Sequence, residues 1–238
     1  MKTPVQQELA FFITKPHPCS YLEGRAAVTL FADPDVDIDT YQYSVLINYG
    51  FRRSGNHIYR PRCPDCSACI PIRIPVNEFR PNRNQRRVLK TNTDISVNEV
   101  PAEFQEEHFA LYQTYLNTRH AGGGMDNPDR DKYESFLINP SIDVRFLEFR
   151  LGEKLIAVAV TDYLASGLSA VYSFFDPAES HRSLGTLTVL RQIELAQRFH
   201  MPYVYLGYWI KETHKMSYKS NFRPFEAFIG GQWVNYTT

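Results

Sequence analysis

Residues 145–165 read RFLEFRLGEKLIAVAVTDYLA, two apolar runs broken at Leu151-Gly152-Glu153-Lys154. Alternation before the break and a β-branched run after it predict two strands joined by a tight turn. GLSAVYSFFDP (167–177) predicts a third strand, Ser183 to Phe199 a helix, and YVYLGYWI (203–210) a final buried strand. Upstream, Glu103 to Arg119 places Phe104, Phe109, Tyr112, Tyr115 and Leu116 on one helical face. That helix ends in AGGGMDNP (121–128), a flexible break, before a short helix, DKYESFLI (131–138).

The first hundred residues carry weaker patterns. AAVTLFA (26–32) predicts a short strand. Asp33, Asp35, Asp37 and Asp39 then stand two apart, as in a calcium loop. Such a loop needs Gly at its sixth position and Glu at its twelfth, where this chain has Ile38 and Ser44. The acids are better read as caps for a helix over Thr40–Tyr49, with Tyr43, Leu46 and Ile47 on one face and a stop at Gly50. FRRSGNHIYRP (51–61) predicts a hairpin. IPIRIPVNEF (70–79) predicts a strand that its two prolines confine to an edge. These patterns place a boundary near residue 100, between a smaller, cysteine-containing domain (1–100) and a second domain (101–238). The order is α+β. In the second domain it matches the acetyltransferase-like (GNAT) fold, whose bent central sheet splays to admit an acyl donor.

Composition narrows the function classes. The 238 residues hold 26 basic and 26 acidic side chains, and 43% are hydrophobic, as in an ordinary globular protein. No apolar run approaches the ~18 residues of a membrane helix, and MKTPVQQELAFFITKPHPCS lacks the apolar core of a secretory signal. With only four cysteines, a cytoplasmic location is expected. Zero net charge conceals a polarity: residues 51–90 hold ten Lys and Arg against two acids. A local positive field of that kind suits an anionic partner.

Two clusters carry chemistry. Cys63, Cys66 and Cys69 form C-x2-C-x2-C, with Cys19 upstream. Four soft thiolates suit a structural zinc or an iron–sulfur cluster, between which the spacing does not choose, and His17 is an alternative ligand. In RPNRNQRRVLK (80–90), helical geometry would put Arg83, Arg86, Arg87 and Lys90 on one face, a guanidinium row suited to phosphates. The absence of a helix-turn-helix or finger pattern favours folded RNA over DNA.

Several blocks together resemble one family: CSYLEGR (19–25), YGFRRSGNHIYRPRCPDCSACIPIRI (49–74), FRPNRNQRRVLK (79–90), RHAGGGM (119–125), YSFFDP (172–177), SLGT (183–186) and YLGYWIKETHKMSYKSNFRP (205–224). They resemble the arginyl-tRNA–protein transferases and the short bacterial leucyltransferases that act on N-terminal Asp and Glu. The resemblance implies transfer of an amino acid from aminoacyl-tRNA to the α-amine of a protein beginning with Asp or Glu, marking it for N-end rule degradation. Its partners would be leucyl-tRNA and such proteins, with no membrane and no DNA.

No cofactor is needed for that chemistry. The ester is already activated, and an N-terminal amine of pKa ≈ 7.7–8.0 is partly neutral at pH 7. Proximity and hydrogen bonds to the developing oxyanion can then carry catalysis. The expected acceptor-binding cations are Arg52, Arg53, Arg60, Lys215 and Lys219. Arg83, Arg86, Arg87 and Lys90 are expected to bind tRNA. Tyr172, Tyr208 and Tyr218, with Trp209, offer rings and donors around the ester, and Asp176 a carboxylate for the amine; core packing is an equal reading for the aromatics. A Phe-, Tyr- and Leu-rich second domain suits leucine better than arginine as donor. Two rivals remain. An acetyl-CoA N-acetyltransferase would need a small residue where Leu187 follows Arg182-Ser183-Leu184-Gly185-Thr186. A non-catalytic RNA-binding module would leave the second half without a purpose.

Overall fold

Residues 155–164 are buried without interruption, and the strand they form lies inside the main sheet. A computed structural model describes residues 9–119 and 128–236; the AGGGMDN break lies outside them. The chain begins with β1 (Phe11–Ile13), β2 (His17–Pro18), β3 (Ala26–Ala27), β4 (Thr29–Ala32), α1 (Thr40–Asn48), β5 (Arg52–Ser54), β6 (His57–Pro61) and β7 (Ile70–Pro75). Next come α2 (Arg83–Thr91), β8 (Ile95–Pro101), α3 (Glu106–Arg119), α4 (Arg130–Leu137), β9 (Val144–Leu151), β10 (Lys154–Leu164) and β11 (Gly167–Phe175). A 3₁₀ segment (Pro177–Arg182), α5 (Leu184–Arg198), β12 (Tyr203–Trp209), a second 3₁₀ segment (His214–Asn221), β13 (Phe225–Ile229) and β14 (Gln232–Tyr236) follow.

Eight strands form one mixed sheet in the order β14-β13-β7-β12-β11-β10-β9-β8; a smaller sheet runs β1-β4-β6-β5. On one face of the large sheet, Leu187, Leu190 and Ile193 of α5 and Val88 and Leu89 of α2 pack against Leu147, Phe149, Ile156 and Ala159. On the other, α1, α3 and α4 supply Leu46, Ile47, Leu111, Leu116, Tyr133 and Leu137 against Phe146, Val158, Val160 and Phe174. The arrangement is mixed α and β. Asp39 caps α1 as the acidic turn predicted: its carboxylate accepts from Gln42 N at 2.7 Å, and the Gln42 side chain accepts from Asp39 N.

Two expectations change. β7 is an interior strand, between β12 and β13. Its prolines are tolerated because β13 pairs only with Ile72 and Arg73, leaving Pro71 and Pro75 outside that ladder. β12 is not the final strand: β13 and β14 follow as a hairpin through Gly230-Gly231, both at positive φ. The large sheet draws strands from both sides of residue 100: β7 lies before it, β8 runs through it, and β9 to β14 follow.

Candidate active site

The sheet opens between β11 and β12. These strands, joined by α5, pair in parallel only at Gly167–Tyr203, Leu168–Val204 and Ser169–Tyr205. Beyond Tyr205 β12 stays paired with β7, through a register shift between Tyr205 and Gly207, while its carbonyls lose the partner strand on the β11 side. Cations occupy the gap. Lys219 Nζ donates to Leu206 O at 2.7 Å and Tyr208 O at 2.8 Å. Arg52 Nη2 donates to Val171 O on β11 at 3.2 Å. Gly207 has φ +71°, and a Cβ there would stand 2.7 Å from Arg52 Nη1; glycine is what lets the guanidinium lie against the strand.

Neither cation forms an ion pair with a carboxylate among the described residues; the nearby Asp162 is paired with Arg53. The ionisable groups that act most on Arg52 are the phenols of Tyr59, Tyr208, Tyr21 and Tyr43, and its guanidinium stands 5.6 Å from the centre of the Tyr208 ring. Lys219 is 8% exposed. Burial first, and then the charge of Arg52, pull its pKa well below the ordinary ammonium range.

A cleft of about 450 Å³ lies at the start of α5, lined by Tyr115 and Arg119 of α3, Ser173 and Phe175 of β11, Ser183 to Thr186, and Tyr218. It contains no carboxylate among its lining residues. Its walls are tied to α2: Asn92 donates to Arg182 O at 2.9 Å, and Gln85 to Asn221 O at 3.1 Å. α2 is the predicted basic helix, capped by Asn82 with Gln85. Gln85 is its buried contact, while Arg83, Arg86, Arg87 and Lys90 are all exposed. The row therefore faces solvent beside the cleft.

A second cavity, about 740 Å³, is lined by all four cysteines together with Arg25, Arg60, Arg62, Tyr49 and Tyr208. Arg60 donates to Tyr49 O at 2.8 Å and lies over Phe51; burial, and then the like charge of Arg62, lower its pKa. Cys19 accepts from Leu22 N, Cys66 from Arg25 and Cys63 from Val28 N, each at 3.4 Å. Burial, followed by Cys19, Cys63 and Cys66, pushes the Cys69 thiol up to about 12. Four soft donors facing one cavity, three of them already hydrogen-bonded at sulfur, have the chemistry for zinc or an iron–sulfur cluster. As the side chains stand, no group of three or more His, Cys, Asp or Glu among the described residues is closed enough to hold a metal ion.

The other predicted residues are dispersed. Arg53 is 1% exposed; it grips both Asp162 oxygens, with Nη2 to Oδ1 at 2.6 Å, and is spent on that pair. Tyr172 packs edge-on against Tyr112 and Phe136, its buried hydroxyl without a partner. Tyr208 is buried, its hydroxyl donating to Gly50 O and Tyr59 O, while Trp209 packs on Phe225 and Tyr236. Asp176 caps the Pro177–Arg182 segment through Ala178 N and pairs with Lys154 Nζ at 2.7 Å; that lysine lowers its pKa. The Lys215 side chain lies outside the described residues. Sequence reasoning missed Arg25 and Arg62 at the cysteine cavity and Tyr115 and Arg119 at the α5 cleft. Arg25 and Arg62 sit inside the family-like blocks 19–25 and 49–74, and that is the signal that could have found them.

Comparison with known proteins adds identity to this geometry. The family model for the N terminus of arginine-tRNA-protein transferase matches residues 17–87, and that for its C terminus matches residues 107–229. The aspartate/glutamate leucyltransferase of Saccharophagus degradans is 55% identical over 230 residues, 96% of this chain and 98% of that one. Those of Hahella chejuensis and Pseudomonas fluorescens are 50% and 52% identical over 226 residues, 95% of this chain and 97% and 96% of theirs. Among solved structures, L-PGS from Bacillus licheniformis aligns with a TM-score of 0.51 at 8% identity, covering 71% of this chain and 58% of that one. That last likeness is one of fold.

Proposed function

The chain belongs to the arginine-tRNA-protein transferase family, and on that premise we propose that it moves leucine from leucyl-tRNA to the α-amine of proteins beginning with Asp or Glu. Its action would mark those proteins for degradation through the N-end rule in the cytoplasm; no helix among the described residues is long and apolar enough to cross a membrane. We read the opened sheet as acetyltransferase-like, with the β11–β12 gap as the place where acyl donor and amine meet.

The observation that carries the leucine reading is the lining of the α5 cleft. Phe175, Leu184, Tyr115 and Tyr218 supply apolar and aromatic wall, and Arg119 is its charged residue. A cationic arginyl donor would call for a carboxylate there, and a buried cation without one is costly. Leucine needs none. The acceptor stem would lie on the α2 row, whose cations await phosphates. On the other side, Arg52 and Arg60 flank Tyr208, and their guanidinium forks suit the carboxylate of an incoming Asp or Glu. Held in this way, amine and ester react chiefly through proximity, the collapsing adduct steadied by nearby donors.

The four cysteines would hold a zinc or iron–sulfur centre that staples the first segment to the 63–69 turn. Metal analysis of the purified protein and of a Cys63→Ser variant tests this: metal bound by the former and lost from the latter is expected, and a metal-free parent refutes it. The transfer itself is tested with tRNA charged separately with labelled leucine or arginine, and acceptors beginning with Asp, Glu, Arg or Ala. Label from leucyl-tRNA on the Asp and Glu acceptors alone is expected. Label from arginyl-tRNA would overturn the donor assignment, and none from either would overturn the function.

A further inference from the structure

Lys219 is a buried amine that the reading above leaves without a task. Its Nζ meets two acceptors, the carbonyls of Leu206 and Tyr208, and no carboxylate among the described residues. An ammonium carries three N–H groups, a neutral amine two and a lone pair. Two carbonyls match the neutral amine without remainder. The charge around it points the same way: Arg52 of β5, the charged neighbour that acts on it, opposes a second positive charge. Position matters as much as state. Its Nζ stands on the Leu206 and Tyr208 carbonyls of β12, beyond the last β11–β12 pair at Ser169–Tyr205 and so in the sheet opening read above as the meeting place of acyl donor and amine.

Resting on the transferase reading, we propose that Lys219 is the catalytic proton shuttle of the transfer step. The free α-amine of the acceptor attacks the ester carbon, forming the C–N bond and placing the carbonyl electron pair on oxygen. Lys219 takes one proton from the nitrogen of this adduct. As the carbonyl re-forms and the C–O3′ bond breaks, the same proton passes to the departing O3′. The products are an amide and a tRNA with a free 3′-hydroxyl, and Lys219 ends neutral, as it began.

The test compares the wild-type protein with Lys219→Met and Lys219→Ala in single-turnover transfer from leucyl-tRNA to an Asp-initiated acceptor, across pH. A proton shuttle contributes about 10²- to 10⁴-fold, so Lys219→Met should lose about that much in rate with little change in acceptor KM. Added primary amines should restore Lys219→Ala, more strongly as their basicity rises. A structural lysine would give no such dependence, and rescue indifferent to amine basicity, or a Lys219→Met rate close to wild type, overturns the proposal. Should the variants fail to fold, the ¹⁵N-labelled lysine Nζ resonances of the wild-type protein decide. One titrating well below the others supports the shuttle, and all titrating together near 10.5 overturns it. Absence of transfer by the wild type itself would instead refute the functional reading on which this rests.

Discussion

Gly207→Ala tests whether Arg52 reads the acceptor, because the structure separates its two costs. An L-residue at φ +71° carries about 1–2 kcal/mol of left-handed strain. Gly152, in the β9–β10 turn, has φ +58° and nothing within 4 Å of the point a Cβ would occupy, so Gly152→Ala carries the strain alone. At Gly207 the new carbon would also meet Arg52 Nη1 at 2.7 Å and Cζ at 2.8 Å, and the guanidinium must leave. For a chain of this size each kcal/mol lowers Tm by about 2–4 °C, so both variants should unfold somewhat earlier. Only Gly207→Ala should weaken acceptor recognition. A lost charge-assisted hydrogen bond to a carboxylate is worth about 1.5–3 kcal/mol, hence about ten- to a hundredfold in KM for Asp-initiated acceptors. Steady-state transfer with Asp- and Ala-initiated peptides, beside thermal unfolding, reads both quantities. If Gly207→Ala keeps the wild-type KM while its Tm falls as far as that of Gly152→Ala, Arg52 does not read the acceptor.

Arg86→Glu with Arg87→Glu should weaken leucyl-tRNA binding and reduce its log–log salt slope by about 0.9 per lost phosphate contact, with Tm unchanged because both side chains are exposed; filter binding over a salt series measures this. Arg53→Met strands the buried Asp162 carboxylate and should cost about 3–5 kcal/mol in denaturant unfolding, most of it recovered in Arg53→Met with Asp162→Leu. Asp176→Ala removes a cap worth about 1 kcal/mol and an ion pair whose lysine is half-exposed and adds little. Because the folded-state pKa of Asp176 is lowered, its charge stabilises the fold above the unfolded value of about 3.9. That share is lost as pH falls through the lower folded value, so the Tm gap between variant and wild type should narrow from neutral pH to strongly acidic solution.

What the sequence made legible is what depends on local pattern. The α1 cap, the 51–61 hairpin, the β9–β10 turn and the exposed face of α2 follow from spacing and residue type. The interior position of β7 does not, because two prolines signal an edge, and only the two-residue pairing with β13 removes the conflict. The β13–β14 hairpin carried a readable signal in its Gly-Gly turn between apolar runs. Among the cations, sequence could not say which were spent. Arg52 and Arg53 are adjacent in a strand, so their side chains take opposite faces. One enters the sheet opening and the other is consumed by Asp162, and that distinction needs the partner 109 residues away.

The opened sheet itself explains why cations gather there. Where β11 leaves β12, backbone carbonyls lose their ladder donors, and a buried carbonyl without a donor is costly. Water could fill the gap and leave it neutral. Lys219 and Arg52 fill it instead, so the groups that repair the backbone also bring basic nitrogen and positive potential to the same place. The two roles are separated by protonation. A guanidinium keeps its charge at any ordinary pH and suits a carboxylate, whereas an amine beside it is pressed toward the neutral form and suits a proton in transit. Exchanging the two residues, Arg52→Lys with Lys219→Arg, would keep the donors and the net charge of the opening. It should nevertheless abolish transfer, since the fork would no longer face the acceptor and the shuttle would hold a group that cannot release its proton.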